Sequence, residues 1–265
     1  MRIAVCVKEV LDPNAVNNLA LAGKLKIGED GRTLEVAAVP RLINGYDEQG
    51  MEIALRIRDA GVACTIVAVS IGPDQHSLLR HCAALGADEI VAIDPAGQAL
   101  DGEAVAKVLA AYVKGSGGAD LILCGRQASD DDQGVVPVLL AEKLGWPSVL
   151  FARAVEVSGQ SVSVTRVTTD GDEVVQGALP ALVTVSNEVG VPRFPTAKAK
   201  MAARKMAPVA VSLASLGLSA AELAPSVELV RQQLPVVNGN CQLLQGSAVE
   251  VARQLMDRLR ADGVV

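Results

Sequence analysis

Apolar and polar positions fall in blocks along this chain, and the blocks alternate between two periods. Arg2–Val7, Cys64–Ser70, Glu89–Ile93 and Ala119–Cys124 are short apolar runs of the kind that form strands buried on both faces. Between them lie segments of helical period. Glu48–Ala60 puts Met51, Ala54, Leu55 and Ile57 on one face, with Asn44 or Asp47 as its cap. Another helix opens at Gly72-Pro73-Asp74 and ends at Leu85-Gly86, and a third spans Asp101–Tyr112. A fourth carries Val136, Leu139, Leu140 and Leu144 and stops at Gly145-Trp146-Pro147. Up to Trp146 this regular strand–helix alternation predicts an α/β fold, a doubly wound and mostly parallel sheet.

Two interruptions modify that plan. Leu25–Ile27 and Thr33–Val36 flank Gly28-Glu29-Asp30-Gly31, a hairpin signal inside the first crossover, which otherwise leaves Arg2–Val7 as the polar loop Lys8–Asn14. After Pro147 the pattern becomes short β segments, Val149–Val157, Ser161–Val167 and Glu173–Gln176, expected as antiparallel strands added to the sheet, then a final β segment Leu182–Ser186. From Asn187 the signals weaken. Pro192–Thr196 resists helix, Ala197–Lys205 is a basic alanine-rich run, and Leu213–Pro235 has no clean period. Ser247–Asp262 is again an amphipathic helix, with Val251, Leu255 and Leu259 in one stripe. The expected division is a domain over 1–190 and, over 191–265, a loosely patterned stretch and an arm whose helix needs something to cover its stripe.

Composition narrows the chemistry. Half of the 265 residues are hydrophobic but only 2% are aromatic, so the core must be built from Val, Ala, Leu and Ile. A net charge of −6 argues against a nucleic-acid partner. No apolar run approaches the roughly 20 residues that span a bilayer, and Lys8-Glu9 interrupts the short apolar start; a cytoplasmic chain is expected, not itself a membrane protein. The five cysteines show no CxxC spacing, and Cys6, Cys64 and Cys124 read as small hydrophobes. The two histidines, His76 and His81, make a poor metal site. No nucleophile–base pair stands out, so no catalytic residue is assigned and the chain is not read as an enzyme.

The chemistry concentrates where Ala119–Cys124 ends: Gly125-Arg126-Gln127-Ala128-Ser129, three aspartates Asp130–Asp132, then Gln133-Gly134 and a helix near Val135. A loop leaving a strand's carboxyl end toward a helix amino terminus puts backbone N–H groups where a phosphate binds. Neither GxxxxGK[ST] nor a GxGxxG after a strand is present, so this is neither a P-loop nor the usual dinucleotide fingerprint. The mild reading of the aspartates makes Asp130 a helix cap and Asp131 or Asp132 solvated; a Mg²⁺ ion held by the run is the alternative. Arg126 and Lys8 stand at strand ends within reach of a phosphate, and Tyr46, one of very few aromatics, is available to a planar ligand. The residues alone describe a nucleotide-binding domain with a partner-seeking arm. Rival readings are a stand-alone nucleotide-binding protein of the same architecture and an ATP-dependent enzyme.

Several segments together resemble the beta subunit of electron-transfer flavoproteins: RIAVCVKEVLD, NGYDEQGMEIALRIRDAG, AVSIGP with LLRHCAALGADEIV, GRQASDDD, VTRVTTDGDEVVQGALPALVTVSNEVGVPRF and the closing helix with its GVV end. In order, they cover nearly the whole chain. The resemblance implies a Rossmann-like, adenine-nucleotide-binding fold and a heterodimer with an alpha subunit that holds a redox FAD. It implies electrons carried from flavin-dependent dehydrogenases, commonly of the acyl-CoA type, to a membrane quinone oxidoreductase. It also implies an AMP on this chain, or a second FAD in bifurcating members. By the same resemblance Cys6, Asn44, Gly45, Tyr46, Asp47, Ile71, Gly125, Arg126, Gln127, Ala128, Ser129, Asp130, Gln133, Gly134, Val135 and Val136 bind cofactor, Tyr46 facing the alpha-held flavin. Thr196, Ala197, Lys198, Lys200 and Met201 correspond to the loop that docks dehydrogenases.

Three departures from the family pattern matter. Asn-Pro-Phe reads Asn44-Gly45-Tyr46, keeping the aromatic while relaxing the backbone. Asp131 replaces a glycine of the bifurcating pattern and adds charge where a second FAD's pyrophosphate would pass, which favours AMP. The docking loop reads Thr196-Ala197-Lys198 for Thr-Leu-Pro and so loses a leucine anchor.

Overall fold

The computed structural model describes residues 1–36, 39–115, 118–234 and 241–265, and Pro235, the end of one expected aperiodic stretch, lies outside them. They form two compact units, Met1–Lys26 with Leu34–Val230, and Ile27–Thr33 with Arg231–Val265. The first unit holds β1 (Arg2–Cys6), β2 (Glu9–Leu11), α1 (Pro13–Leu21), β3 (Arg41–Ile43), α2 (Gly45–Asp59), β4 (Thr65–Ile71), α3 (His76–Leu85), β5 (Glu89–Asp94), α4 (Gly102–Gly115), β6 (Leu121–Gly125) and α5 (Val135–Leu144). It continues with β7 (Ser148–Ser158), β8 (Ser161–Thr168), β9 (Gly171–Ala178), β10 (Ala181–Val185), α6 (Ala197–Ala203) and β11 (Val209–Ser212).

Nine of these strands make one sheet in the order β11-β5-β4-β1-β6-β10-β7-β8-β9. Strands β11, β5, β4, β1, β6, β10 and the start of β7 run parallel. The period of two in each strand sorts its side chains onto two faces. Ile3, Val5, Leu121 and Leu123 pack under α2 and α3 with Met51, Ile53, Leu55, Leu78 and Leu79. Ala4, Val67, Ile122 and Cys124 pack on the other face with Val108, Leu109, Leu140 and Ala141 of α4 and α5. Met51, Ile53 and Ile57 are at most 2% exposed, and each such side chain contributes about 1.5–3 kcal/mol by leaving water. The doubly wound sheet expected from the alternation is therefore present.

The structure corrects several local expectations. Lys8–Asn14 is not merely a loop: β2 pairs antiparallel with β3, and α1 begins at Pro13 under an Asp12 cap. Helix α2 starts at Gly45 rather than at the expected Glu48, so Tyr46 lies in its first turn. The segments after Pro147 join as expected, but β7 pairs parallel with β10 on one side and antiparallel with β8 on the other. Residues 191–230 belong to the first unit. The basic alanine-rich run forms α6, capped by the Thr196 hydroxyl and packed on α3, and β11 extends the sheet beside β5.

The second unit has a turn in which Gly28 N–H donates to Thr33 O at 2.7 Å. Asp30 accepts from the Thr33 hydroxyl and from the N–H groups of Arg32 and Thr33, which lowers its pKa to about 2. Gln232 N–H donates to Gly31 O at 2.8 Å. Its helix α7 (Ala248–Ala261) opens with a reciprocal capping box between Ser247 and Glu250, and no residue of α7 is buried.

Candidate functional site

The sheet order reverses direction at β1: the chain moves outward through β4 and β5, then returns to β6 on the other side. Loops leaving the carboxyl ends of β1 and β6 consequently diverge, and open α/β sheets bind ligands in the crevice this creates. A cavity of about 340 Å³ occupies that place, walled by Cys6, Lys8, Ile71, Cys124 and the start of α5.

Asp47 fixes its rim. The carboxylate is buried in the first turn of α2, and its two oxygens accept the N–H groups of Lys8, at 2.8 Å, and Gly125, at 3.0 Å. One side chain thereby ties together the exits of both central strands. Burial raises its pKa to about 7, against the lowering effect of these hydrogen bonds. Asn44 adds a second tie, its amide donating to Gln127 O at 2.9 Å and accepting from Ser129 N–H at 3.2 Å. It starts α2 without a side-chain capping hydrogen bond to the helix backbone. This fit leaves no room at Gly125, where a Cβ would lie 2.7 Å from Tyr46 Cβ and 3.0 Å from Asp47 N.

The expected capping by Asp130 is not what occurs. The residue preceding α5 is Gly134, left-handed at φ 63°, and no side chain caps the helix. Its first N–H groups, at Val135 and Val136 on the cavity wall, therefore remain available to an anion. Asp130 instead accepts from Lys8 Nζ at 2.8 Å, with Asp131 at 3.4 Å from the same ammonium. Asp132 accepts from Gln127 Nε2 at 2.8 Å. Among the described residues no group of three or more His, Cys, Asp or Glu is arranged to hold a metal ion.

Eleven of the sequence-predicted residues line this cavity: Cys6, Asn44, Asp47, Ile71, Gly125, Gln127, Ala128, Gln133, Gly134, Val135 and Val136. Gly45, Tyr46 and Ser129 instead border a second hollow of about 600 Å³, beside Glu48, Gln49 and His81. There His81 Nε2 lies 2.9 Å from Glu48 Oε1, and the buried Gln49 Oε1 and Ser129 Oγ have no hydrogen-bond partner. Arg126 and Asp130 line neither space. The Arg126 guanidinium sits 4.9 Å from the ring centre of Phe151 and 5.8 Å from that of Tyr46. Phe151 holds φ 65°, an unusual backbone state for a bulky residue, where the β10–β7 register shifts.

Sequence reasoning passed over the wall formed after β5 by Pro95, Gln98, Leu100 and Asp101. Their position at the carboxyl end of a parallel strand was the available signal. Asp101 caps α4 through Ala104 N–H at 2.9 Å and also accepts from Val227 N–H at 3.2 Å. Phe151 was not singled out either, and its backbone state leaves no mark in the composition around it.

A family model described as the electron transfer flavoprotein domain matches residues 33–216. The chain belongs to the electron transfer flavoprotein family. It is 32% identical over 275 residues to an electron transfer flavoprotein subunit beta of Thermoanaerobacterium thermosaccharolyticum, covering 100% of both chains. It is 31% identical over 271 residues, again all of both chains, to a caffeyl-CoA reductase-Etf complex subunit of Acetobacterium woodii. An acryloyl-CoA reductase electron transfer subunit gamma of Anaerotignum propionicum matches at 30% over 282 residues, also end to end. Within the electron transfer flavoproteins the chain is thus of the beta type; the matched residues hold most of the sheet and of the cavity wall, while β1 with Cys6, and Lys8 after it, precede them. No helix among the described residues is long and apolar enough to cross a membrane.

Proposed function

We propose that this chain is the beta subunit of a heterodimeric electron carrier, holding AMP in the cavity between β1 and β6. The observation that carries the reading is the uncapped amino terminus of α5 opening on a cavity at the switch point of the sheet. The N–H groups of Val135 and Val136 and the Lys8 ammonium would hold the phosphate, and Ile71, Leu100, Val105 and Leu109 offer the base an apolar wall. At about 340 Å³ the cavity stands at the small end of the ~300–1,000 Å³ of small-molecule sites, which suits a mononucleotide. Asp131 on its wall adds negative charge against a longer diphosphate.

The second hollow would receive the flavin held by an alpha subunit, with Tyr46 against its plane. The orphaned Gln49 Oε1 and Ser129 Oγ fit a surface that is completed by another molecule. Flavin-dependent dehydrogenases would dock on α6 around Thr196, Ala197, Lys198, Lys200 and Met201, where Met201 is 68% and nearby Phe194 87% exposed. Exposed aromatic and methionine side chains beside lysines supply an apolar anchor with a charged rim. The chain contributes no catalytic residue; it positions a flavin whose own ring carries the electrons toward a quinone oxidoreductase. The complex would work in the cytoplasm.

Relatives named as parts of acyl-CoA-type reductase complexes favour, as the second reading, a second FAD in place of AMP. Denaturing the co-purified heterodimer and quantifying released nucleotide decides between them. One FAD with one AMP is expected. Two FAD would replace the AMP reading, and a colourless, nucleotide-free chain would overturn both.

A further inference from the structure

Two thiols meet in the wall of the first cavity. Strands β1 and β6 are neighbours in register, with Ala4 opposite Ile122 and Val5 opposite Leu123. One step further Cys6 stands opposite Cys124, and the alternation of the strands puts both on the face that carries Ala4 and Ile122. Both line the cavity, the first half-buried and the second buried, and neither is in a disulfide. The Cys6 thiol beside it and burial together hold the Cys124 thiol well above its ordinary range.

The other cysteines have no comparable neighbour. Cys82 is buried in the core of the opposite face, Cys64 packs against that same core, and Cys241 is exposed. Two sulfurs at the ends of two adjacent, rigid parallel strands, facing one cavity, form a preorganised pair of soft donors. The absence, among the described residues, of a third ligand disfavours a four-coordinate metal. A centre that asks for two sulfurs and brings its own third substituent is suited to the pair.

We infer that Cys6 and Cys124 act as one dithiol site for trivalent organoarsenicals of the arsenoxide type, and that filling it excludes the nucleotide. In the condensation two As–S bonds form, the arsenic–oxygen bond and both S–H bonds break, and the two protons leave with the oxygen as water. Arsenic stays trivalent and no electron moves. A protonated Cys124 is slow toward alkylating agents, which need a thiolate. The condensation instead carries that proton away in the water it makes. The organic substituent would project into the cavity, toward the first turn of α5; the exclusion half of the inference rests on the AMP reading above.

The test treats the full chain with phenylarsine oxide and follows intact mass in excess monothiol. One phenylarsenic group per chain is expected, retained against the monothiol and removed by a dithiol. Cys6→Ser, Cys6→Ala and Cys124→Ser should each lower retention on the order of a hundredfold, because one sulfur loses the chelate advantage. Cys64→Ser and Cys241→Ser should retain the adduct. No adduct on the unaltered chain, or one that persists in folded Cys6→Ser or Cys124→Ser protein, would overturn the dithiol site. AMP affinity is then measured with and without the adduct. A loss of tenfold or more is expected, and unchanged affinity overturns the exclusion. If the untreated chain binds no AMP, the nucleotide reading fails, while the mass result still decides the dithiol site.

Discussion

Asp47→Asn removes the charge from the carboxylate that joins the two central strand exits while keeping its shape. Both oxygens of Asp47 accept backbone N–H groups, from Lys8 and Gly125, yet burial still lifts the pKa from 3.8 to about 7. The unfolded chain therefore gives up this proton at a lower pH than the folded one. Stability from this group is fully present below the unfolded value and is lost as pH rises toward about 7. A shift of about 3 units corresponds to about 4 kcal/mol in total, of which about 3 kcal/mol falls between about pH 5 and pH 8. The neutral amide has no such dependence and matches the protonated acid in size and charge. Urea unfolding of both proteins across that pH range should show the wild type losing about 3 kcal/mol relative to the variant. Groups common to both chains cancel in the difference. A difference that stays flat, or that moves in favour of the wild type as pH rises, would refute the reasoning. It would mean that the two N–H bonds keep Asp47 ionised in the fold at all these pH values.

Three further outcomes are expected. Gly125→Ala should cost about 1–3 kcal/mol, read as a lowered Tm, because the new Cβ can be accommodated only by moving the start of α2 away from β6; an unchanged Tm would contradict that close approach. Lys8→Met should alter stability by less than about 1 kcal/mol, since its ion pairs are half-exposed, yet lower AMP affinity at least about tenfold by leaving Asp130 and Asp131 unneutralised. Calorimetric titration that finds equal affinity would exclude Lys8 from phosphate binding. Glu52 is buried, and although burial pushes its carboxyl up, Arg193 and Arg56 hold it below the ordinary range. Glu52→Gln should cost roughly 3 kcal/mol at neutral pH, a penalty that shrinks as the pH falls through the folded pKa, and should speed hydrogen exchange around Arg193. Unchanged exchange there would show that other contacts hold this segment.

The alternating apolar blocks determined the doubly wound architecture, because a strand buried on both faces needs a continuous apolar run and its crossover helix needs one apolar stripe. The loop after β6 was legible for the same reason: strand, polar glycine-bearing loop and helix, in that order, place backbone N–H groups at a sheet end. Short elements were not legible. Strands β2, β3 and β11 span three or four residues, and α6 seven, so each depends on its neighbour rather than on its own periodicity. Helix α6 is a case in point, since its alanines and lysines give no stripe and only α3 beside it decides where it sits.

The site shows the same division more sharply. The residues around Gly125 and Gly134 could be named from the chain, but their division between two hollows could not, because the start of α2 presents Asp47 to one, Gly45 and Tyr46 to the other, and Asn44 to both. Nor could the sequence tell that Asp130 pairs with Lys8 instead of capping α5, a contact spanning 122 residues. The insertion of β10 between β6 and β7, and the meeting of Cys6 with Cys124 across two strands, likewise belong to the tertiary structure. Local pattern specifies which face of an element is apolar; which elements become neighbours is decided only when those faces are buried together.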